Sequence, residues 1–375
     1  MKFLHTADLQ IGMHAAFAGE ACAAKIRAAR LRTLKRIVDV ANEEAVDFIV
    51  IAGDLFEDVA PALTDIGAVT GALREASMPV YVLPGNHDPA EGATPYKAAF
   101  WKDLELAGKA FIARKPMQYA VAGGALLLSP CLAKYSAEDP TRSFKEMLSP
   151  DGTLRIGVAH GTLQVNDAMS FDRGDQRAGF PIATDAASRA GLSYLALGHW
   201  HTYWQYQDGD ALIEYCGTPE QTSFADRNCS TVSIVQLAGP RDRPNVKRVD
   251  VHELDWHAKQ FDLTDEQSLD RGLEALRNIS HAERSLVRVQ FKGFGGHAML
   301  ERLLTADGEF QGRFLYYERT IQLIPRPEDR QQWLELVPVG LARQVATELL
   351  DRIEVDGDDV PVATRALELL TEIVR

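Results

Sequence analysis

An α/β architecture, two packed sheets flanked by helices with a small α+β domain and C-terminal helices behind them, follows from three features of the 375-residue sequence. Apolar β-branched runs alternate with helix-spaced segments in the first third. Strand-like runs then crowd together from about Ala125, and amphipathic helical spacing returns near the end. Residues 2–7, 46–52 and 79–83 are the first three predicted strands, each stopping where a polar island begins. Between them Ile26, Leu34, Ile37, Val38 and Ala41 recur at helical spacing, and residues 63–76 give a second helix. The later runs, 125–129, 154–159, 194–197, 212–215, 231–236 and 246–253, supply strands for two packed sheets.

A domain boundary is expected near residues 255–263, giving domains 1–258, 259–325 and 326–375. Thr264-Asp265-Glu266-Gln267 has the form of a capping box, with Leu269, Leu273, Leu276 and Ile279 following at helical spacing. A strand at 285–291, a turn with Gly293, Gly295 and Gly296, a helix at 297–304 and a strand at 313–319 complete an α-β-α-β unit. Two amphipathic helices close the chain. The first carries Trp333, Leu334, Leu336, Val337, Leu341, Val345, Leu349 and Leu350, and Pro361 opens the second with Leu367, Leu369, Leu370, Ile373 and Val374.

Five islands follow predicted strands: Asp8-Leu9-Gln10, Gly53-Asp54, Gly85-Asn86-His87-Asp88, His160-Gly161 and Gly198-His199-Trp200-His201. Strand ends are where α/β proteins gather ligands. Asp8, Asp54, Asn86, His160, His199 and His201 offer the carboxylate, amide and imidazole mixture that a two-metal phosphoester hydrolase needs, with one carboxylate to share and a metal-activated hydroxide to attack phosphorus. Such ligands suit manganese, iron or zinc better than calcium, which prefers all-oxygen cages. A lone Asp or His in a loop is ordinarily a turn cap, but five ordered islands at strand ends are poorly explained that way.

The islands resemble the signature of the calcineurin-like metallophosphoesterases, and His5-Thr6-Ala7-Asp8 with Gly53-Asp54-Leu55-Phe56 is most similar to the SbcD-type DNA repair nucleases. The resemblance covers about the first two thirds of the chain and extends to the last third only in arrangement. It implies two divalent ions, with Mn2+ the expected species. Asp8 and His201 would hold the first, Asn86, His160 and His199 the second, and Asp54 would bridge them. His87 would act at the leaving group, and Glu57 stands where related enzymes place an acid that orients this histidine. Gln10 departs from the Asp-x-His usual in SbcD-type enzymes; its amide oxygen is a neutral and weaker ligand than imidazole.

The resemblance further implies a metal-dependent DNA nuclease of DNA repair, an α-β-α-β unit that shapes DNA access, and C-terminal helices that dock on an SbcC-like coiled-coil ATPase. A homodimer stays open, and the helices serve equally well as a hairpin closing their own domain. Two other readings stand beside the nuclease: a calcineurin-like phosphatase or phosphodiesterase acting on a small or protein phosphoester, and a DNA-binding subunit whose first metal site Gln10 has impaired.

Net charge of −13 argues against nucleic-acid binding by bulk electrostatics, although metal ions create a local positive focus. Cys22, Cys131, Cys216 and Cys229 are scattered without paired spacing, as in a reduced, cytoplasmic protein. Met1 runs straight into the first strand with no signal-peptide pattern, and no apolar run nears the roughly 20 residues of a membrane span. His5, inside a strand, is read as a core histidine or one standing behind a ligand, and Asp88 as a turn residue. His14, His252, His257, His281 and His297 have no motif around them. Tyr203, Trp204 and Tyr206 are read as packing before base stacking, and Lys134, Arg173, Arg177 and Arg227 as solvated charges or phosphate contacts in equal measure.

Overall fold

The sequence begins with a strand buried on both faces, and that burial sets the architecture. A computed structural model describes residues 1–150, 152–165, 179–324, 330–354 and 360–374. The chain divides into two compact units, Met1–Leu254 and Asp255–Arg375. In the first, β1 (Lys2–Thr6), α1 (Gly19–Glu43), β2 (Phe48–Ala52), α2 (Leu63–Arg74), β3 (Val80–Leu83), α3 (Phe100–Leu106) and β4 (Ala110–Ile112) alternate as expected. Then come β5 (Met117–Val121), β6 (Gly124–Ser129), β7 (Leu154–His160), the short pair β8 (Thr162–Leu163) and β9 (Pro181–Ile182), α4 (Ala186–Arg189), β10 (Tyr194–Gly198), β11 (Trp204–Asp208), β12 (Ala211–Tyr215), β13 (Thr231–Gln236) and β14 (Asn245–Asp250).

Two six-stranded sheets result, ordered β14-β13-β1-β2-β3-β4 and β11-β12-β10-β7-β6-β5. Residue alternation sorts their faces. Phe3, Phe48 and Val50 meet Leu126, Leu128, Ile156 and Val158 between the sheets. Leu4, Ile49 and Ile51 turn the other way into a core with Leu34, Val38, Val69 and Trp101 from α1, α2 and α3. Strands covered on both sides read as unbroken apolar runs, which is why they were legible. Each fully buried Val, Leu, Ile or Phe contributes about 1.5–3 kcal/mol.

β1, β2 and β3 are mutually parallel, as are β7 and β10, so their carboxyl ends fall on common rims. The islands follow directly: Asp8 after β1, Gly53-Asp54 after β2, Gly85-Asn86 after β3, His160 closing β7 and His199 after β10.

In the second unit, β15 (Asp255–Leu263), α5 (Glu266–Arg277), β16 (Ser285–Phe294), α6 (His297–Arg313) and β17 (Tyr316–Ile324) form a parallel three-stranded sheet with its two helices. The expected α-β-α-β order gains a strand at its start. β15 carries half-exposed and exposed residues over most of its length, so no clean alternation marked it in the sequence. The helix cap lies one residue later than expected. Ser268 N–H donates to Asp265 Oδ1 at 2.7 Å and Asp265 N–H to Ser268 Oγ at 3.1 Å, because the chain stays extended through Leu263.

Helix α6 runs on to Arg313, since Ala306 and Phe310 continue the buried stripe of Met299 and Leu303, and this moves the next strand to Tyr316. The expected first terminal helix is two, α7 (Arg330–Glu335) and α8 (Leu341–Glu354), separated around Pro338 and Gly340; α9 (Val360–Val374) follows. Trp333, Val337, Ala346, Leu350 and Leu367 from these helices bury together with Phe294. The domain limits at 325 and 326, Arg173 and Arg177 lie outside the described residues.

Candidate metal centre

The rim where the parallel strands end draws the island residues into one buried polar cluster. Asp8 and His160 are fully buried, Asp54 nearly so, and Asn86 is 9% exposed. Asp8, Asp54 and His199 hold φ angles of 55°, 50° and 100°, and Gln10 one of 44°. A side chain in that left-handed region costs of order 1–3 kcal/mol, so surrounding structure must enforce it at four neighbouring positions.

Two glycines make the approach feasible. At Gly53, with φ of 101°, a Cβ would lie 2.0 Å from His160 Nδ1; at Gly85 it would lie 2.1 Å from Asp54 Oδ1. The islands therefore need glycine because side chains from distant strands occupy that space.

His160 Nδ1 donates to the Ala52 carbonyl at 2.9 Å, which turns Nε2 toward Asn86 Oδ1 at 2.9 Å and Asp54 Oδ2 at 3.3 Å. Two of those three atoms are oxygen acceptors, and Nε2 joins them as a third lone pair whenever the ring is neutral. Such convergence calls for a cation, either a proton on His160 or a metal. His199 Nδ1 lies 3.1 Å from the same Asn86 oxygen. Ligand atoms of Asp54, His160 and His199 all fall within 4.8 Å of one another, a spacing that could hold a metal ion. The donor set fits a transition-type divalent ion, and the His160 bond to a backbone carbonyl is the supporting contact such ligands ordinarily make.

Asp8 accepts from the His199 N–H with both carboxylate oxygens, each at 3.1 Å. Asp54 Oδ1 accepts from the His87 N–H at 2.9 Å. Gln10 faces His201, with its Nε2 3.4 Å from the ring Nε2. Gln10 thus joins the cluster through His201, by way of its amide nitrogen.

Electrostatics follow from burial first and neighbours second. Burial pushes Asp8 up to about 6 against the pull of His160 and His201. Burial also acts to raise Asp54, but the His160 charge and hydrogen bond outweigh it and hold this carboxyl well below the usual range. Burial would lower His160, yet Asp54 and Asp8 bring it up to about 9. His199, buried and beside His160, falls to about 3. The site is therefore split between an imidazole that favours its cation and one that stays neutral.

His87 sits at the edge, with its side chain 36% exposed. Its Nδ1 donates to the main-chain carbonyl of Glu57 at 3.0 Å, whereas the Glu57 carboxylate is 4.0 Å away. The acid at 57 thus orients the ring through its backbone. Burial lowers the His87 pKa, but Asp54, this carbonyl and the Glu57 carboxylate leave it raised overall.

Asp88 is structural, accepting from Phe56 N–H, Gly85 N–H and the Tyr96 hydroxyl at 3.0, 2.8 and 2.6 Å. His5 is a core residue, its Nδ1 2.9 Å from the Tyr194 hydroxyl. Trp200 stacks on Tyr215 at 4.4 Å and tilts against Trp204, and Trp204 stacks on Tyr206, whereas Tyr203 lies under the Arg248 guanidinium at 4.1 Å. Arg227 braces its own loop through the Phe224 and Asp226 carbonyls.

Sequence reasoning passed over Thr218, Thr222 and Asp226. Thr218 Oγ1 lies between the Glu220 carbonyl at 2.7 Å and the Asp8 carbonyl at 2.9 Å, and Thr222 Oγ1 lies 2.9 Å from His201 Nδ1. Only a polar Thr-Pro-Glu-Gln-Thr-Ser run after a strand marked this loop.

A buried acid, amide and imidazole cluster at the carboxyl rim of paired sheets is a setting that could hold divalent metal ions. The sequence model of the calcineurin-like phosphoesterase family matches residues 1–203, and the chain belongs to that family. It is 23% identical over 297 residues to YhaO, an uncharacterised metallophosphoesterase of Bacillus subtilis, covering 72% of this chain and 65% of that protein. It is 25% identical to the DNA double-strand break repair protein Mre11 of Haloferax volcanii, covering 78% of this chain and 62% of the relative. Mre11 of Sulfurisphaera tokodaii is also 25% identical, with 58% and 56% covered. The chain thus spans between about half and two thirds of the length of these relatives. A solved structure, TT1561 of Thermus thermophilus, superposes at a TM-score of 0.45 with 13% identity over 67% of this chain and 99% of that one, too distant to add to the family assignment. No helix among the described residues is long and apolar enough to cross a membrane.

Proposed function

We propose that this protein is a DNA phosphodiesterase that works with two Mn2+ ions. The observation that carries the reading is the convergence of Asp54, Asn86, His160 and His199 on one buried point, with Asp8, His201 and Gln10 beside it. Ions bound there would supply Lewis acidity toward the phosphate and a water acidic enough to attack at neutral pH. Asp54 is suited to bridge, because the His87 N–H fixes one of its oxygens and leaves the other toward His160. Asp8, His201 and Gln10 would serve one ion, and Asn86, His160 and His199 the other.

His87 carries the proton chemistry. Its Nδ1–H is committed to the Glu57 carbonyl, so Nε2 is the ring nitrogen at which a proton can be held for the departing sugar oxygen. The raised pKa favours that protonated form.

DNA is favoured over a small ester by the Mre11 relatives and by the second unit, for which a small-molecule enzyme has less use. In this reading the β-α-β-α-β portion shapes access and the terminal helices dock on a coiled-coil ATPase. Exposed Val339, Leu341, Val362 and Ile373 on and beside those helices support docking. The test is a manganese-supplemented cleavage assay on end-labelled single- and double-stranded DNA beside an aryl phosphodiester, with Asp54→Asn as control. Degradation of DNA by the parent and not by Asp54→Asn is expected. Hydrolysis of the aryl ester with DNA left intact would point to a small-substrate phosphodiesterase, and inactivity with a single bound ion to a binding subunit.

A further inference from the structure

The loop after β12 holds a chain of hydrogen bonds that ends on His201. Asp226 accepts from the Thr222 N–H at 2.7 Å, the Thr222 hydroxyl at 2.8 Å, the Ser223 N–H at 3.1 Å and the Ser223 hydroxyl at 2.9 Å. Four such donors favour the ionised carboxylate, which can only accept.

The Thr222 hydroxyl has one proton and two close neighbours, Asp226 Oδ2 and His201 Nδ1. Donating it to His201 would leave two oxygen acceptors facing each other at 2.8 Å. The proton therefore belongs to the bond with Asp226, and Thr222 accepts from a protonated His201 Nδ1. In the neutral ring Nε2 is then the unprotonated nitrogen. That atom is the one facing Gln10, on the side of the proposed metal centre.

The loop that carries this relay is itself anchored. Buried Arg30 donates to the Glu220 carbonyl at 2.8 Å and the Thr33 hydroxyl to the Glu220 carboxylate at 2.8 Å, while the Thr218 hydroxyl lies 2.7 Å from the Glu220 carbonyl and 2.9 Å from the Asp8 carbonyl. Helix α1 thus holds the loop at Glu220, two residues before Thr222.

We propose that Asp226 and Thr222 are positioning residues that lock His201 in its Nδ1–H tautomer and so make Nε2 its metal-binding atom. This rests on the metal-centre reading above. Two measurements on the full chain test it. Long-range 1H–15N NMR of the imidazole rings in metal-free protein reads the tautomer, with His201→Gln assigning the signal. Calorimetric titration with Mn2+ reads the sites.

The parent and Thr222→Ser should show Nδ1–H and two binding events. Thr222→Val, which keeps shape and loses the hydroxyl, should shift toward Nε2–H and weaken one event by roughly 10–100-fold, leaving the other unchanged. Thr222→Ala gives the same reading should the valine variant not fold. Parent-like tautomer and affinities in these variants, or an Nε2–H ring in the parent, would overturn the lock. A parent that binds no Mn2+ overturns the metal-centre reading and the metal-binding role with it, while the metal-free NMR comparison still decides the tautomer.

Discussion

Replacing Gly53 by alanine isolates the close approach on which the centre is built. The new Cβ would sit 2.0 Å from His160 Nδ1 and 2.6 Å from its Cγ, so the ring must move by more than an ångström. Movement breaks the 2.9 Å bond from Nδ1 to the Ala52 carbonyl and leaves that buried oxygen unsatisfied, a cost of about 1–3 kcal/mol. A side chain at φ of 101° adds about 1–3 kcal/mol. The sum, roughly 2–6 kcal/mol, lowers the melting temperature of a unit this size by roughly 5–20 °C. Gly92→Ala is the matched control, because its φ of 73° carries strain while nothing lies within 4 Å of its Cβ. Thermal melts followed by circular dichroism, with Mn2+ titration of the folded variants, read both effects. Gly53→Ala should melt well below Gly92→Ala and bind metal more weakly. Equal melting temperatures with intact metal affinity would refute the claim that His160 occupies the space this glycine vacates.

Three further outcomes follow from the geometry. His87→Ala should keep its bound metal and lose hydrolysis by about 10²–10⁴-fold, the usual contribution of a general acid; loss of metal in calorimetry would instead make His87 a ligand. Gln10→His should tighten the weaker metal site and move the manganese activation curve to lower concentration; an unchanged curve would mean that residue 10 is either already a competent ligand or no ligand. His5 is buried neutral, its pKa lowered to about 3 from 6.5 by burial. Because the unfolded chain takes up this proton first, stability due to His5 is present above pH 6.5 and is lost as pH falls toward 3, at no more than about 1.4 kcal/mol per pH unit. His5→Gln, which cannot titrate, should flatten denaturation midpoints across that window, and an identical slope in parent and variant would contradict the assignment.

The sequence by itself determined the strand-ending islands and the chemistry they offer. A strand covered on both faces announces itself by an unbroken apolar run, and the residue that follows is placed at a rim by chain connectivity alone. Asp8, Asp54, Asn86, His160 and His199 were legible for that reason. Local pattern failed where burial was weak or partners were distant. β15 lacks an apolar face over most of its length, and the α5 cap shifted by one residue because an adjoining strand ran on to Leu263. Only the tertiary structure decided that Glu57 orients His87 with its carbonyl, that Gln10 turns its amide to His201, and that Thr222 and Asp226 stand behind the same ring. Those bonds, like the carboxylate neighbours that divide His160 from His199, depend on distances between groups up to 191 residues apart in the chain. Periodicity reports the face on which a residue lies, and says nothing of what folding brings against it.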